Sequence, residues 1–492
     1  MDIRMYDAII IGAGVVGCAV AQQLAKYDGK LLVIDRMEDV ADGASKANSG
    51  IVHAGFDAHP GTEKARLNVK GAKMYKQLAG ELGVPYGQPG ALVIGFTEED
   101  RKTLENLLAQ ANENGVEGCR ILERDAILSM EPSTNPEVLC ALYAPTSGLV
   151  SPYEMTCALA DSAAENGAEF SLSNPVLEIK PTADGNWLVI TERDEYKARA
   201  VINCAGMGSG VLHNMISSRR VKLIPRRGEY YLLDHAAEMP FAMTMFQCPT
   251  KMGKGVLVSP TTHGNILLGP TADDIDDGYD TATTRKGLDD VMKAVRLTWK
   301  NVTLRQTITT FSGIRAHEEH GDFIIGKVEG APEGAYEAVG VESPGLSAAP
   351  AIGQELGDEV AAFLGLEKKN DWKKPTPVSK PFRNMTDAER AAAYEKNAEY
   401  GTLVCRCEQV TEAEIRAAIR RPVGARSIDG VKRRTRAGMG RCQGGFCSPR
   451  VMEILCEELN VSPLEITKCG GESKLLVGTL HDIAKEARPD EK

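Results

Sequence analysis

The first 35 residues constrain the fold most, because they place a glycine-rich turn between two short apolar segments. Tyr6–Ile11 is a β-branched apolar run, which is typical of a buried parallel strand. It leads directly into GAGVVG at positions 12–17, then a segment with helical spacing over 18–26 and a second apolar run over 30–35. This order is the dinucleotide-binding fingerprint: a strand, the G-x-G-x-x-G turn, a helix, a second strand and an acidic residue about 20 positions after the turn. The sequence therefore predicts an α/β unit that binds a dinucleotide.

Each fingerprint residue has a physical role in holding a pyrophosphate. Gly12 permits the tight turn, Gly14 lets the backbone approach the anion, and Gly17 lets the helix pack closely on the strand. The positive end of the helix then faces the anion. We expect Asp35 to accept hydrogen bonds from ribose hydroxyls. An acid at this position disfavours a 2′-phosphate, so the fingerprint alone leaves FAD or NAD as the cofactor.

Three later segments have the composition of tight turns that approach a ligand. The first spans residues 43–55, where small residues and hydroxyls suit a loop laid along an extended cofactor. The second is a predicted strand that runs into a glycine turn over 198–206. The third, over 339–350, leads into a helix predicted over 351–364. Together they indicate a cofactor site assembled from distant parts of the chain.

Composition excludes several classes of protein. A length of 492 residues predicts two to four domains at roughly 100–200 residues each, and 43% hydrophobic with 25% charged residues excludes a disordered or fibrous chain. The net charge of -11 argues against a nucleic-acid-binding protein. No segment approaches the roughly 18 apolar residues of a transmembrane helix. The first apolar run is too short for a signal peptide, and we therefore expect a cytoplasmic protein.

Residues 401–492 differ from the rest of the chain in charge and in cysteine content. They carry 16 Lys+Arg and 13 Asp+Glu, so +3, which leaves -14 for residues 1–400. Six of the 12 cysteines lie here, four of them in a C-x-C and a C-x4-C pair with glycines nearby. Four thiolates in a reducing compartment bind zinc or a [2Fe–2S] cluster, and redox-active thiols are the remaining alternative. The four candidate ligands are Cys405, Cys407, Cys442 and Cys447.

Composition and periodicity also predict a linker, several helices and a basic run in the C-terminal part of the chain. Residues 366–400 are rich in Lys and Pro without apolar periodicity and predict a surface linker, with an exposed helix over 387–400. Helices are also predicted over 411–420 and 451–459. The basic run at 432–436 either offsets the charge of a metal–thiolate site, docks a partner, or forms a solvated face.

Six segments accompany the fingerprint: ANSGIVHAG (47–55), GLVSPYEMTCAL (148–159), VINCAG (201–206), PRRGEYYLL (225–233), FSGIRA (311–316) and GVESPGLSAAPAIG (340–353). On these segments and the fingerprint, the chain resembles the FAD-dependent D-amino acid oxidase-like superfamily across roughly residues 5–365. Within it, the chain looks most like L-2-hydroxyglutarate oxidases and glycerol-3-phosphate dehydrogenases or oxidases. The turn at 343–350 lacks the lysine that glycerol-3-phosphate dehydrogenases often carry there, and so it looks more like the hydroxyglutarate oxidase type.

This resemblance implies a mixed α/β and α+β fold, in which a Rossmann-like FAD-binding domain is joined to an antiparallel-sheet substrate domain. The implied FAD-binding segments are about 1–80, 148–215 and 325–365, and the implied substrate domain is about 81–147 and 216–324. Residues 401–492 resemble the bacterioferritin-associated ferredoxin-like [2Fe–2S] domain, a small helical module. That likeness favours an iron–sulfur cluster over zinc.

The resemblance also implies a tightly bound FAD that accepts a hydride. The backbone amides of Gly345 and Leu346 would meet the flavin N1/O2 edge, where the positive end of the following helix stabilises negative charge. Val176 lies in the strand whose backbone would hold the adenine. The expected FAD contacts are Gly12, Gly14, Val15, Val16, Gly17, Asp35, Arg36, Ala44, Ser45, Asn48, Ser49, Gly50, Ile51, Val176, Cys204, Ala205, Gly206, Gly313, Gly345, Leu346 and Ser347.

Five residues are candidates for contacts with the substrate. Arg315 matches the position of an anion-binding arginine in the family, and a guanidinium fork suits a carboxylate or phosphate. His53 either takes the hydroxyl proton of the substrate or hydrogen-bonds the flavin. Arg227 and Tyr230 would close the substrate pocket, and Lys251 is a weaker anion candidate.

These inferences predict a dehydrogenase that uses FAD and a [2Fe–2S] cluster to oxidise a small anionic 2-hydroxy compound. The first expected substrate is sn-glycerol 3-phosphate, with dihydroxyacetone phosphate as product, and the second is L-2-hydroxyglutarate. An amino-acid dehydrogenase acting on proline or hydroxyproline and a flavin-containing scaffold subunit remain alternatives. The cluster predicts a redox protein or flavoprotein as electron acceptor in place of oxygen. A homo- or hetero-oligomer is compatible with the sequence.

Overall fold

The computed structural model describes residues 3–235, 239–249 and 255–480. Lys251 lies outside the described residues. The chain divides into two compact units, one of Met1–Asp35 with Val40–Val378 and the other of Arg36–Asp39 with Ser379–Lys492. Residues 366–400, predicted to be a linker, are therefore shared between the two units.

The described residues form twelve α-helices and twenty-two β-strands. The helices are α1 (Val15–Leu24), α2 (Glu63–Leu82), α3 (Glu98–Glu113), α4 (Arg124–Met130), α5 (Pro152–Glu165), α6 (Ser209–Ile216), α7 (Arg285–Thr298), α8 (Gly345–Leu364), α9 (Asp387–Lys396), α10 (Glu412–Arg420), α11 (Ile428–Thr435) and α12 (Ser448–Leu459). The strands are β1 (Arg4–Ile11), β2 (Leu31–Ile34), β3 (Ile51–Val52), β4 (Tyr86–Gly87), β5 (Ala91–Gly95), β6 (Arg120–Glu123), β7 (Cys140–Ala144), β8 (Gly148–Val150), β9 (Glu169–Ser171), β10 (Val176–Pro181), β11 (Trp187–Thr191), β12 (Glu195–Asn203), β13 (Leu223–Leu233), β14 (Thr244–Gln247), β15 (Leu257–Pro260), β16 (Ile266–Gly269), β17 (Asp273–Asp274), β18 (Thr307–Glu318), β19 (Ile324–Lys327), β20 (Ala335–Val339), β21 (Leu403–Cys405) and β22 (Val410–Thr411).

The first sheet of the larger unit carries the dinucleotide fingerprint. Its strand order is β10-β11-β12-β1-β2-β9, and β20 pairs with both β12 and β19. The central pairs of β1 with β12 and of β1 with β2 are parallel, and Ala8 to Ile11 are buried because helices cover both faces of such strands. Helices α1, α5 and α8 pack beside one another at this sheet. The carboxyl ends of β1, β12 and β20 therefore carry the glycine turns that the sequence singled out.

The second sheet of the larger unit has nine strands. Its order is β17-β13-β16-β15-β14-β5-β7-β6, and β18 pairs with β13. All of its pairs are antiparallel except that of β14 with β5. The β13–β18 ladder runs from Leu223 opposite Glu318 to Leu233 opposite Thr307, and it brings together the two segments that contain the substrate candidates. The predicted fold class is confirmed.

Helix α8 begins six residues earlier than the sequence predicts, so that Pro350 lies inside it. Proline has no backbone N–H and leaves the carbonyl four residues earlier without its helical donor. Here that carbonyl belongs to Leu346, and the Tyr75 hydroxyl of α2 donates to it at 2.5 Å. A side chain from a distant helix thus allows the first turn of α8 to form at the expected flavin turn.

The smaller unit is built from α9 to α12 and the short β21–β22 hairpin. Its core is formed by apolar residues of α10, α11 and α12, including Ile415, Val431 and Ile454. The basic run at 432–436 is not a solvated face, because Arg433 and Arg434 are 3% and 7% exposed. Both guanidinium groups donate to Asp39, within the same unit, at 2.7–2.9 Å. In the described part of the chain, no helix has the length and apolarity needed to cross a membrane.

Candidate flavin, substrate and cluster sites

The glycine turn after β1 can be formed only by glycine at two positions. A Cβ at Gly12, whose φ is 108°, would lie 2.3 Å from the carbonyl oxygen of Cys204. A Cβ at Gly17 would lie 1.9 Å from the carbonyl oxygen of Gly12. At Gly14 the nearest group to a Cβ is the Ser45 hydroxyl at 3.3 Å. The turn is therefore packed tightly on the protein side, and at Gly14 its backbone stays uncovered enough for a phosphate to approach.

The N-terminus of α1 is suited to a pyrophosphate. Gly14 is its N-cap, provides no side-chain cap, and is followed by a first turn without acidic residues. The Val15 N–H donates to Ser45 Oγ at 2.9 Å, and the Ala13 N–H donates to Asp35 Oδ2 at 2.6 Å. A helix N-terminus attracts anions through its dipole and its free N–H groups. These residues fit the diphosphate and ribose of a dinucleotide. The predicted contact Arg36 is the next residue after Asp35 but belongs to the smaller unit.

The loop that follows Ser45 is held by its own asparagine. Asn48 Nδ2 donates to the carbonyls of Ala44 and Ser45 at 3.0 and 3.1 Å, and its Oδ1 accepts from Gly50 N. A Cβ at Gly313 would lie 1.9 Å from the carbonyl oxygen of Ala47, so β18 approaches this loop backbone to backbone. The structure therefore brings the predicted contacts at 44–51 and Gly313 together.

The segment before Val176, predicted to hold the adenine, lies next to Asp35. Asn174, two residues before Val176, donates its backbone N–H to the carbonyl of Asp35 at 2.9 Å. Cys204 donates its backbone N–H to the carbonyl of Ile11 at 2.8 Å, and Gly206 has a φ of 56°. These contacts place both predicted turns beside the fingerprint strands.

His53 is fixed to the start of α8 through its backbone. The His53 N–H donates to Ser347 Oγ at 2.8 Å, and the same hydroxyl lies 3.4 Å from the Ile51 carbonyl. On the other side, the buried Asn68 amide, oriented to satisfy both groups, donates to the His53 carbonyl at 3.2 Å and accepts from Gly55 N at 3.0 Å. The backbone of His53 is therefore held from α8 and from α2.

The imidazole of His53 is half-buried and lies beside an aromatic ring. Its centroid is 5.7 Å from that of Phe246, and the two planes are tilted by 35°. His53, Phe56, Asp57, Asn68 and Pro344 line a small cavity next to the α8 N-terminus. Asn68 and Phe246 were not predicted. A lone asparagine within the apolar repeat of α2 is the sequence signal that points to Asn68.

Arg315 lies on β18 with its guanidinium over β13. Its Nη1 and Nη2 donate to the Thr271 carbonyl at 3.2 and 3.3 Å, and a Cβ at Gly228 would lie 2.7 Å from Nη2. The neighbouring Tyr230 is 3% exposed and stacks on Phe311 with centroids 4.7 Å apart. Burial raises the pKa of Tyr230, and the charge of Arg315 opposes this rise. Tyr230 is therefore neutral, and its hydroxyl oxygen accepts from the guanidinium of Arg315.

Arg227 is engaged by carboxylates of the protein. Its Nη1 donates to Asp280 at 2.7 Å, and its Nε lies 3.5 Å from Glu229 Oε1. Arg227 and Glu229 are buried, whereas the Asp280 side chain is 45% exposed, so the ion pair with Asp280 lies at the protein surface. Its role in closing a substrate pocket stays a prediction.

The four predicted thiol ligands of the smaller unit lie together. Cys407 Sγ and Cys442 Sγ are 3.8 Å apart, and Cys405 is hydrogen-bonded to Cys447. The bond from Cys447, together with backbone N–H groups of Gly438 and Glu408, lowers the pKa of Cys405 to about 6, although burial opposes this.

Amide donors also surround the second pair of sulfurs. The N–H groups of Phe446, Gly444 and Gly445 lower the pKa of Cys442. Amide donors directed at sulfur stabilise thiolates, the form that binds metals. The set fits a four-thiolate centre, and Cys456 and Cys469 are not part of it.

Comparison with protein families gives two matches. Residues 7–359 match the family described as FAD dependent oxidoreductase. Residues 403–457 match the family described as BFD-like [2Fe-2S] binding domain, and this segment contains all four thiols. The two matches lie on the two parts of the chain that carry the candidate sites.

Individual relatives extend this likeness. The chain is 44% identical to a glycerol 3-phosphate dehydrogenase of Caloramator mitchellensis over 96% of this chain and 98% of the relative. It is 31% identical to a glycerol 3-phosphate oxidase of Mycoplasma pneumoniae over 71% of this chain and 93% of the relative. A solved structure of the dithionite-reduced, FAD-bound L-alpha-glycerophosphate oxidase of M. pneumoniae superposes with a TM-score of 0.72 at 30% identity, covering 77% of this chain and 100% of that one.

Proposed function

The chain belongs to the FAD dependent oxidoreductase family, and on this premise we propose that it oxidises sn-glycerol 3-phosphate to dihydroxyacetone phosphate and passes the electrons to a redox protein. The family matches confirm the predicted enzyme class and both predicted cofactors, FAD and a [2Fe–2S] cluster. What the proposal adds is the substrate, the roles of the site residues and the acceptor.

One observation carries the choice of substrate. The relative that matches 96% of this chain, and so spans both units, is a glycerol 3-phosphate dehydrogenase. The geometry supports an anionic substrate, because Arg315 lies on the same β-ladder as Tyr230 and opposite Arg226. L-2-Hydroxyglutarate is the second candidate, because the turn at 343–350 has no lysine.

In this proposal Arg315 binds the phosphate. A guanidinium has five N–H donors in a planar fork that matches a phosphate. The two bonds to Thr271 O and the hydrogen bond to Tyr230 hold the fork in place, and in this proposal the remaining N–H groups bind the anion. Tyr230, which is buried and stacked on Phe311, supports one side of the guanidinium.

His53 takes the proton of the substrate hydroxyl at an imidazole nitrogen. A neutral imidazole near pH 7 is suited to this role. Ser347 and Asn68 fix its backbone, so that only the side-chain torsions of His53 remain to be ordered when the substrate binds. FAD, when bound, would supply the acceptor for the hydride that leaves the carbon bearing this hydroxyl. The predicted Gly345 N–H donates to the Glu342 carbonyl, so in this proposal the first-turn amides of Leu346 and Ser347 would stabilise the negative charge of a reduced flavin.

The cluster module indicates the kind of acceptor. Oxidation of one glycerol 3-phosphate releases two electrons and two protons. A [2Fe–2S] cluster carries one electron at a time. A one-electron relay serves delivery to another redox protein, and an oxidase that reduces oxygen at the flavin does not need it. Two molecules of a one-electron carrier are therefore reduced for each substrate molecule.

The proposal is tested by steady-state kinetics with an artificial electron acceptor. We expect kcat/KM for sn-glycerol 3-phosphate to exceed that for L-2-hydroxyglutarate and for L-proline at least tenfold, with dihydroxyacetone phosphate as product. Arg315→Met should raise KM about a hundredfold, because it removes a charge-assisted anion contact. The exposed Arg305→Met is the control and should leave KM unchanged. A preference for either other substrate, or equal KM in the two variants, would contradict the proposal.

The choice between dehydrogenase and oxidase needs a separate measurement. The flavin is reduced anaerobically by substrate and then mixed with air-saturated buffer in a stopped-flow instrument. We expect reoxidation much slower than turnover with the artificial acceptor. Reoxidation as fast as turnover would show that oxygen is the acceptor. No reduction by any of the three substrates would favour the scaffold alternative.

A further inference from the structure

The two segments that carry the thiols, residues 405–409 and 441–448, expose basic, neutral polar and aromatic side chains but no carboxylate. Glu408 is the acidic residue of these segments. It is 2% exposed, and its carboxylate accepts hydrogen bonds from Arg383 and Arg436. No carboxylate is exposed in these two segments, both of which the structure describes in full. The exposed residues are Arg406, Cys407, Gln409, Arg441, Gln443, Gly445 and Phe446. We call Arg406, Arg441, Gln443 and Phe446 the thiol rim.

Phe446 is unusual among the aromatic side chains. It is 87% exposed, while Phe363, at 39%, is the other exposed phenylalanine among the described residues. Leaving a phenyl ring in water forgoes the stabilisation that burial of its apolar surface would provide. Aromatic and arginine side chains are the residues most enriched at the centres of protein interfaces. Such a ring next to a ligand cysteine therefore indicates a contact surface and is not a packing residue.

The position of the thiol rim suits electron transfer. Phe446 directly precedes the ligand Cys447, and Arg406 lies between the ligands Cys405 and Cys407. Cys407 is itself exposed, so the thiol site reaches the surface here. A protein seated on this rim would lie within one or two residues of the cluster ligands. Its surface would meet two guanidinium groups, which favours acidic side chains on the partner.

We propose that the thiol rim is the docking surface for a small acidic protein that carries one electron. The inference rests on the proposed function for the origin of the electrons, but it does not depend on the identity of the substrate. Each docked carrier is reduced by one electron, so two carriers are reduced per substrate oxidised and two protons go to solvent. Arg406 and Arg441 attract the carrier, and Phe446 packs against it.

The test uses the full-length holoenzyme and two probes that differ in charge. Native cytochrome c is basic, whereas succinylated cytochrome c is acidic with the same haem and fold. The holoenzyme is reduced with dithionite, freed of excess reductant and mixed with each probe in a stopped-flow instrument. Binding of each oxidised probe to the oxidised holoenzyme is measured in parallel by biolayer interferometry. Both measurements are made at low and at high ionic strength.

At low salt we expect the acidic probe to have about tenfold higher affinity and a tenfold higher rate of reduction than the basic probe. Both differences should be lost at high salt. The double variant Arg406→Glu/Arg441→Glu should reverse this preference. Phe446→Ala should weaken binding of the acidic probe severalfold without changing its salt dependence. The control Arg426→Glu/Lys474→Glu makes the same charge change at exposed residues of the same unit, outside the thiol segments, and should leave the preference intact.

Three results would overturn the proposal. The first is an equal or better response of the basic probe with the wild-type protein. The second is an equal effect of the rim and control double variants. The third is a rim double variant with an altered cluster midpoint potential but unchanged probe binding, which would show that the arginines only offset cluster charge. Failure of the proposed function has a different signature, because flavin reduction by glycerol 3-phosphate would be absent while the dithionite-reduced protein still discriminates the probes.

Discussion

The backbone N–H of His53 donates a 2.8 Å hydrogen bond to the hydroxyl of Ser347, a residue 294 positions further along the chain. Ser347 is fully buried in the first turn of α8. This one hydroxyl therefore joins the candidate proton acceptor to the helix end proposed to stabilise the reduced flavin. This hydrogen bond fixes the position of the His53 backbone relative to the first turn of α8.

Replacing Ser347 tests this connection. We expect Ser347→Ala to lower kcat about tenfold with FAD still bound, and to lower the free energy of unfolding by about 1 kcal/mol, the usual value of one hydrogen bond. The control is Ser217→Ala, since Ser217 is also buried and donates to the Glu329 carbonyl at 2.6 Å, a bond that involves neither the His53 peptide nor α8. It should lose similar stability and keep its kcat. An equal loss of kcat in both variants would contradict a positioning role for Ser347.

The packing of α2 on α8 gives a second prediction. A Cβ at Gly71 would lie 2.2 Å from the carbonyl oxygen of Ser347, whereas one at Gly80 on the same helix would meet nothing within 4 Å. We expect Gly71→Ala to lower the melting temperature and weaken FAD binding, because the first turn of α8 must shift. Gly80→Ala should stabilise the protein by about 0.5–1 kcal/mol through helix propensity. Differential scanning calorimetry and flavin release distinguish them. A Gly71→Ala variant with wild-type flavin affinity would be contrary evidence.

The ion pair of His213 with Glu337 predicts a pH dependence. His213 Nδ1 lies 2.7 Å from Glu337 Oε2, both side chains are 1% exposed, and the hydrogen bond to Glu337 raises the pKa of His213 although burial opposes it. A raised histidine pKa adds stability that is complete below the unfolded value of about 6.5 and is lost as pH rises through the folded pKa.

Thermal unfolding from pH 6 to pH 9 measures this contribution. Glu337→Gln should be about 1.5–3 kcal/mol less stable than wild type at pH 6, and the difference should shrink as pH rises. Glu329→Gln removes an exposed carboxylate paired with Arg219 and should show no such trend. A Glu337→Gln deficit that is constant across this range would exclude a buried imidazolium at His213.

The thiol assignment makes a prediction about metal content. We expect Cys442→Ser to lose most of its iron and inorganic sulfide while retaining FAD, because three thiolates hold a [2Fe–2S] cluster poorly. Cys456→Ser is the control, since Cys456 lies on α12 outside the ligand set, and should retain two iron atoms per chain. Stoichiometric zinc without iron in the wild-type protein would contradict the assignment.

The sequence predicts those parts of the fold whose residues contact their neighbours along the chain. The β1 turn and α1 follow from the spacing of Gly12, Gly14 and Gly17, and α10 and α12 follow from apolar periodicity. The start of α8 could not be predicted, because Pro350 is a helix breaker unless Tyr75, from another helix, satisfies the Leu346 carbonyl.

The candidate site shows the same division between local and distant information. The four cysteines are visible as motifs, and the structure brings them together. The burial of Arg433 and Arg434 could not be predicted, since it depends on Asp39, which lies about 400 residues earlier and looks like a surface acid in the sequence. Phe246 was missed for the same reason, because its role comes from a tertiary contact with His53, whereas Asn68 had a sequence signal, its place in the apolar repeat of α2.

The central claim is that two electrons leave glycerol 3-phosphate at the flavin and leave the protein singly through the cluster. An anaerobic titration of the holoenzyme with sn-glycerol 3-phosphate tests it most directly, with the flavin absorbance and the EPR signal of the reduced cluster followed together. We predict that the flavin band bleaches and the cluster signal grows in the same titration, and that L-2-hydroxyglutarate at equal concentration produces neither change. A flavin that stays oxidised with glycerol 3-phosphate, or one that bleaches while the cluster stays silent, would contradict the account.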